Sequence, residues 1–374
     1  MKCPDAISTV PNIALTDFPN RKAKVSAEMM SAASKVGFFY VTGHGLAQAD
    51  IDAAFAMSVR YLSLPEQTRA RHVKDKSNAA YILGWSERRV SAGQLTHGML
   101  MSYDSPRMEG LWPSEEECPG FKETMLTFMH KVHRVAVDIM SCLAIGLGLP
   151  EDYYLQPMDP DASDCMTAMS INQYPSWEGK AHKEGTLRRI AHTDFEVITL
   201  LFQRSGEPGL EVCAGKDTTP QQAMQSGLWV PCDPREGAIT VNIGDALQYW
   251  SDGRLKSTYH RVRMPRAEEF QGDRYSIAYF ANTRASTLLQ GPEKKYAPIT
   301  FPDILAAKKK HRKSFMKPSD SDMPDDEFLH TATTLHAVQH VVPLAGWLAG
   351  YVGSLVSPLN PQEVFGSNWS GHHF

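Results

Sequence analysis

Two histidines and one aspartate form the pattern in this sequence that is most able to do chemistry. His192 and Asp194 lie in the segment 190–195, and His260 lies in the segment 257–262. On an extended strand, side chains two residues apart point the same way, so His192 and Asp194 can reach one point in space. Two imidazoles and one carboxylate can bind one side of a metal ion and leave the other side open. We expect a metal site here; the alternative is a surface histidine beside an acid, since the chain has 14 histidines.

A second pair of polar side chains lies on a predicted strand at residues 273–282, which is rich in apolar and aromatic residues. Arg274 and Ser276 are two residues apart and therefore share a face. A guanidinium inside an apolar fold is costly unless it meets an anion. A guanidinium and a hydroxyl together suit a carboxylate. The alternative is an arginine on the solvent side of an edge strand.

Upstream, Asn172 and Tyr174 also share a face of a predicted strand, which Pro175 ends by removing a backbone donor. The Tyr174 hydroxyl can contact the same anion as Arg274. In isolation, Tyr174 is more typical of core packing with the hydroxyl in water.

The elements that must position these residues are strands and helices in succession. The run 239–243 alternates apolar and polar residues, Gly244 and Asp245 break it, and Asp252-Gly253 predicts a hairpin turn. Two packed sheets with a metal at their mouth suit this pattern. The spacing of apolar residues predicts helices at 25–36 and 121–147.

Several motifs recur along the chain in one order. They are residues 36–46 (Val-Gly-Phe-Phe-Tyr-Val-Thr-Gly-His-Gly-Leu), 61–65, 172–175, 192–195, 241–253 and 274–276. On these motifs the sequence, over residues 10 to 290, resembles the isopenicillin N synthase-like family of Fe(II)/2-oxoglutarate-dependent dioxygenases. The resemblance implies a double-stranded β-helix, a distorted jelly roll with a mainly β core and flanking helices. We expect a mixed N-terminal region at 1–160, the catalytic core at 161–290 and a helical extension at 291–374.

The resemblance also implies the cofactors. Fe(II) would be held by His192, Asp194 and His260, and 2-oxoglutarate would chelate it through the C1 carboxylate and the C2 ketone. The far carboxylate would meet Arg274 and Ser276, with Tyr174 and Asn172 beside them. Together with O2, this site would hydroxylate, desaturate or rearrange a small organic substrate, which we expect to be a secondary metabolite.

Three alternatives stay open. Some relatives use this scaffold without 2-oxoglutarate, and their Arg-x-Ser pair holds a substrate anion. A binding module without catalysis is the second, although such a module need not keep all three metal ligands. A zinc hydrolase is the third, but no general base accompanies the triad.

The substrate pocket is the least defined part of the site. Its candidates are large apolar or aromatic residues of the N-terminal region and of the strands near the predicted metal: Tyr81, Trp85, Met99, Met101, Tyr103, Phe195 and Phe280. Packing in the core is an equally good explanation for each. A pocket of this composition favours a small, partly apolar metabolite over a protein substrate.

The composition and charge of the chain bear on its partners and on its cellular compartment. A net charge of -4 and a pI near 6.4 argue against a nucleic-acid partner. The six cysteines include no Cys-x-x-Cys pair and follow no secretory signal, so we expect reduced thiols in a cytoplasmic protein.

Two segments depart from the family pattern. The polar residues 215–226 lengthen the connection between Asp194 and His260, and form either a lid or a surface loop. A long tail follows residue 290, with a basic run at 308–313 and an apolar stretch at 341–353. That stretch is too short and too rich in glycine for a membrane span, and docking on the fold, on a second subunit or on a membrane surface all stay open. We prefer a homodimer contact or a cover over the pocket.

Truncation after Pro318 tests the tail. Leaving Trp347, Leu348 and Tyr351 in water forfeits about 1.5–3 kcal/mol for each side chain that is otherwise buried. We expect the truncated protein to show a lower Tm, a changed oligomeric state by light scattering, or slower turnover. A truncated protein that matches the full chain in all three properties would show that the tail is dispensable.

Overall fold

Twelve strands form two sheets in the computed structural model, which describes residues 9–73, 83–89, 95–182, 185–213 and 229–307. The strands are β1 (Asn12–Ala14), β2 (Phe38–Thr42), β3 (Gly84–Arg89), β4 (Leu95–Ser102), β5 (Ala168–Tyr174), β6 (Leu187–His192), β7 (Ile198–Gln203), β8 (Leu210–Cys213), β9 (Trp229–Pro231), β10 (Ala238–Ile243), β11 (His260–Arg263) and β12 (Arg274–Ala281). The larger sheet has the order β1-β2-β10-β7-β12-β5-β4-β3, and the smaller has the order β6-β11-β8-β9. Apart from the parallel pair β1–β2, the neighbouring strands run antiparallel.

The helices are α1 (Phe18–Lys35), α2 (Gln48–Leu62), α3 (Glu66–Arg69), α4 (Phe121–Gly146) and α5 (Asp245–Trp250), and residues 301–307 are also helical. α1, α2 and α4 pack against strands of the larger sheet. α4 packs against α1, α2, β7 and β12. Its apolar residues recur every three or four positions and are buried, among them Met125, Phe128 and Val132. The helices predicted at 25–36 and 121–147 are thus confirmed by α1 and α4, each of which ends one residue earlier than predicted, while α1 begins at Phe18.

The strand pleat sorts the side chains of the larger sheet into two sets. On β10, Ile239, Val241 and Ile243 join the core beneath the helices. Thr240 and Asn242 therefore point to the opposite face, toward the smaller sheet. The same alternation runs through β5, β7 and β12, so one face of the sheet is apolar and the other carries most of the polar groups.

A second, smaller core joins the two sheets. It contains Phe38 and Tyr40 of β2, Leu210 and Val212 of β8, and Val262 of β11. The two sheets thus face each other, as in the predicted double-stranded β-helix. β1 to β4, from the N-terminal region, extend the same sheet as β5, β7, β10 and β12; the domain boundaries near 160 and 290 stay a prediction.

The hairpin predicted at Asp252-Gly253 is wrong, because these residues follow the end of α5, and the strands on either side, β10 and β11, lie in different sheets. The Gly253 N–H donates to the carbonyl of Gln248 at 2.8 Å, and both Asp252 and Gly253 have positive φ, 55° and 78°. A left-handed backbone serves the end of a helix as well as a hairpin turn, so the dipeptide alone does not distinguish them. The Asp252 carboxylate then accepts the backbone N–H groups of Glu293 and Lys295.

Other predictions meet the structure only in part. The five described cysteines are buried and unpaired: Cys118, Cys142, Cys165, Cys213 and Cys232. Among the described helices, none is long and apolar enough to cross a membrane. Tyr81, the polar segment 215–226 and the tail from residue 308 lie outside the described residues.

Substitution of Gly244, between β10 and α5, tests how closely the chain is packed at this junction. A Cβ added there would lie 1.9 Å from the carbonyl oxygen of Glu196, two residues after Asp194. Overpacking of this kind costs about 1–3 kcal/mol, so Gly244→Ala should lower Tm and weaken iron binding. Gly179→Ala is the control: its φ is +69° but nothing lies within 4 Å of its added Cβ. Equal iron affinity in the two variants would show that packing at Gly244 does not position Asp194.

Candidate metal centre and its cavity

The three predicted metal ligands come together where the smaller sheet meets its connecting loops. His192 ends β6, His260 begins β11, and the two are paired directly across the strands, with ring centroids 4.2 Å apart. Asp194 follows β6 by two residues. Its Oδ1 lies 3.8 Å from His192 Nε2 and 3.6 Å from His260 Nε2, and all three side chains are nearly buried.

Hydrogen bonds to the backbone fix which nitrogen each imidazole presents. His192 Nδ1 lies 2.8 Å from the carbonyl oxygen of Ile190, and His260 Nδ1 lies 3.3 Å from that of Thr258. A carbonyl only accepts, so each Nδ1 carries the proton and each Nε2 keeps its lone pair for an ion. Phe38 packs edge-on against the His260 ring at 5.2 Å and limits its rotation.

The Asp194 carboxylate is oriented by two side chains of the larger sheet. Thr199 Oγ1 donates to Asp194 Oδ2 at 2.6 Å, and Asn242 Nδ2 donates to the same oxygen at 2.8 Å. Thr199 and Asn242 are a cross-strand pair of β7 and β10. With Oδ2 held by both donors, Oδ1 faces the two imidazoles. The sequence analysis did not single out these residues, although the alternation of 239–243 places Asn242 on the inner face.

This donor set fits a transition metal. The three ligand atoms lie within 4.8 Å of one another. An ion about 2.1 Å from each ligand can join atoms up to about 4.2 Å apart, which includes both distances from Asp194 to the histidines. Two imidazole nitrogens and one carboxylate oxygen are the facial ligands of non-haem Fe(II) sites with open positions.

The metal site opens into a cavity between the two sheets, with an empty volume of about 1160 Å³ including the solvent at its mouth. Arg274 lies on its wall, 2% exposed. Its Nε donates to the carbonyl of Glu207 at 3.1 Å and its Nη2 to Gln203 Oε1 at 2.9 Å. Among the described residues, no carboxylate lies within 4.0 Å of this guanidinium. Burial lowers the pKa of Arg274, because removal from water disfavours the charged guanidinium, and the nearby Tyr174 and Glu207 offset part of this effect.

Ser276, Asn172 and Tyr174 line the same cavity. Strand pairing brings them together, because β12 and β5 set Arg274 opposite Tyr174 and Ser276 opposite Asn172. The Arg274 guanidinium lies 5.2 Å from the centre of the Tyr174 ring. Asn172 Oδ1 accepts the Ser170 hydroxyl at 3.0 Å. The cavity thus has a metal-binding end and a cationic end.

The candidate substrate residues divide into two groups. Phe195 and Phe280 line the cavity. Trp85, Met99, Met101 and Tyr103 lie in the core on the helix side and do not line it. The cavity side of β3 and β4 instead presents Ser86 and Leu100. Ser86 pairs with Gly98 and Leu100 pairs with Ser170, so even-numbered positions of these strands face inward.

Two charged residues that the sequence analysis did not single out also line the cavity. Glu196 is 3% exposed, and its Oε2 accepts the backbone N–H of Phe195 at 2.9 Å. Arg189 lies on β6, three residues before His192. In a regular strand Ile190, and not Arg189, would share a face with His192, so strand periodicity alone does not place Arg189 in the cavity.

Comparison with known proteins agrees with this geometry. The profile of the 2OG-Fe(II) oxygenase superfamily matches residues 165–283, and that of the non-haem dioxygenase in morphine synthesis N-terminal region matches residues 10–115. The 2-oxoglutarate-Fe(II) type oxidoreductase ppzD of Metarhizium majus is 30% identical, over 73% of this chain and 85% of its own. The proline hydroxylase buaE of Petromyces alliaceus is 30% identical, over 71% of this chain and 83% of its own.

A solved structure shows the same fold. A full-length protein of Neurospora crassa, crystallised in complex with alpha-KG and 5-formyluracil, superposes with a TM-score of 0.68 at 25% identity, covering 82% of this chain and 98% of that one. The fold, the buried triad and these relatives agree, and the chain belongs to the family of non-haem Fe(II)/2-oxoglutarate-dependent dioxygenases.

Proposed function

We propose that this dioxygenase oxidises a small organic molecule of secondary metabolism by hydroxylation, desaturation or oxidative rearrangement. One observation carries the proposal: a buried His-Asp-His triad shares one cavity with a buried guanidinium that has no carboxylate within 4.0 Å among the described residues. The relatives support the substrate class, since they include the proline hydroxylase buaE and the 2-oxoglutarate-dependent dioxygenase frbA, both from fungi.

In this proposal His192, Asp194 and His260 bind Fe(II) through the two Nε2 atoms and Oδ1. When bound, iron and 2-oxoglutarate supply the oxidising chemistry, in which O2 is consumed, 2-oxoglutarate gives succinate and CO2, and the substrate is oxidised. The protein's own contribution is to hold the ligand atoms in position before the ion binds. Thr199 and Asn242 do this for Asp194, and the backbone carbonyls do it for the imidazoles.

Arg274 and Ser276 hold the far carboxylate of 2-oxoglutarate, and Tyr174 and Asn172 complete the polar end. A planar guanidinium can bind a carboxylate with two parallel hydrogen bonds, and the Ser276 hydroxyl can add a third. Between the two ends the cavity wall is apolar, formed by Leu201, Leu210, Val262 and Ala278. Such a wall excludes water and strengthens the electrostatic interactions at both ends.

Two further features belong to the same proposal. The described cysteines are unpaired and buried, which supports a reducing compartment and hence the cytoplasm. We also propose a homodimer formed through the C-terminal extension, on the grounds of the apolar stretch at 341–353.

Arg274→Ala tests the co-substrate site. Loss of a partner for a buried carboxylate costs about 2–5 kcal/mol, or about 30-fold or more in affinity. We expect the KM for 2-oxoglutarate, measured by succinate release, to rise by at least that factor. Arg284→Gln removes an arginine from a surface pair with Asp164 and should leave this KM unchanged. An unchanged KM in Arg274→Ala would remove Arg274 from the co-substrate site.

Asp194→Ala and Thr199→Val test the metal centre by anaerobic Fe(II) titration. The first variant should lose iron binding and turnover. The second keeps its shape but loses one of the two donors to Asp194 Oδ2, and residues in this role contribute about 10–100-fold to metal affinity. Thr42→Val, on β2 and away from the site, is the matched control. Full Fe(II) affinity in Asp194→Ala would overturn the assignment.

A further inference from the structure

Strand β6 contains an irregularity beside the metal centre. His260 pairs with His192, Val262 with Arg189 and Arg263 with Leu187, so the register shifts twice and β6 carries one extra residue at each step. Regular antiparallel pairing would have set Ile190 opposite Val262. A bulge of this kind shifts the side chains beyond it to the other face. Arg189 therefore lies on the cavity side with His192 and Val262, and Ile190 does not.

The two consecutive arginines of β6 have different surroundings, and the bulge decides which of them faces the cavity. Arg188 is 2% exposed and does not line the cavity; its Nη2 lies 3.4 Å from the carbonyl of Pro175 and 3.5 Å from that of Gly272. Arg189 is half-buried and lines the cavity. It also lines an adjoining recess with Gly98, Asn172 and Tyr174. Arg189 thus stands where β6 faces the ends of β4 and β5.

The proposed co-substrate does not account for this second guanidinium. 2-oxoglutarate has two carboxylates, of which one goes to iron and the other to Arg274. Arg189 is three residues from His192, and three residues of extended chain span about 10 Å. An arginine at this distance can hold one end of a small molecule while another of its carbons lies beside the metal.

We propose that Arg189 binds a carboxylate of the primary substrate, so that the enzyme acts on a small organic acid. This inference rests on the proposed function and names the substrate class of the same site. A guanidinium matches a carboxylate in shape and charge, and the neighbouring walls at Leu100, Phe195 and Phe280 suit an apolar remainder.

Pairs of acids and their primary amides test this role. The probes are L-proline and L-prolinamide, phenylacetate and phenylacetamide, and indole-3-acetate and indole-3-acetamide. Binding to the full-length protein with Fe(II) and 2-oxoglutarate is measured by anaerobic calorimetry, and stimulation of succinate release is measured with O2. We expect at least one acid to bind about 30-fold or more tightly than its amide.

Three variants test whether Arg189 causes this preference for acids. Arg189→Gln should abolish the preference for the acid and leave the KM for 2-oxoglutarate unchanged. Arg189→Lys keeps the charge without the planar fork and should retain part of the preference. Arg284→Gln should behave as the wild type.

The opposite results would overturn the proposal. They are a wild-type enzyme without any preference for acids, an Arg189→Gln variant that keeps the preference, or one whose KM for 2-oxoglutarate rises instead. A wild-type enzyme that forms no succinate from 2-oxoglutarate contradicts the proposed function itself. One that forms succinate but does not distinguish acids from amides contradicts only the role of Arg189.

Discussion

The two-residue period of the β-strands is the constraint on which this active site depends. Along β12, Tyr275, Ile277 and Tyr279 enter the core beneath the helices, while the alternate residues Arg274 and Ser276 reach the cavity. In one strand, therefore, every second residue stabilises the fold and the residues between face the ligand cavity. A slip of one residue in the pairing of β12 would bury its apolar side chains in the cavity and set the guanidinium against the helices.

Buried charge is the second constraint, and the protein meets it differently at the two ends of the cavity. The Asp194 carboxylate has its own donors in Thr199 and Asn242, and its other oxygen faces the two imidazoles. Within the described part of the chain, Arg274 donates to an amide oxygen and a carbonyl, both of them neutral. A buried ion with incomplete partners costs several kcal/mol, so both ends favour ligands of opposite charge. The fold is therefore prepared for a cation at one end and an anion at the other.

Sequence patterns predicted the fold, two of its helices and the grouping of the triad, because each depends on local periodicity or on a motif of fixed spacing. They failed where a tertiary register decides the outcome. Met99 and Met101 were chosen for the pocket, yet the pairing of β4 with β5 turns them into the core and presents Leu100 instead. No property of residues 95–102 alone determines which of the two sets faces inward. Asp252-Gly253 failed for a related reason, since one backbone conformation ends helices and closes hairpins.

The bulge in β6 allows one strand to hold a metal ligand and also to change which of its residues face the cavity. Within the described residues β6 is the edge strand of the smaller sheet and pairs only with β11. An extra residue in a central strand would disturb the pairing on both sides, whereas at an edge it disturbs one. His192 can thus keep its pairing with His260, which the metal requires, while the residues before it change face. In this arrangement the residues of β6 that line the cavity can change without moving the metal ligands. The edge strand is the place in the sheet where such a bulge disturbs the fewest backbone hydrogen bonds.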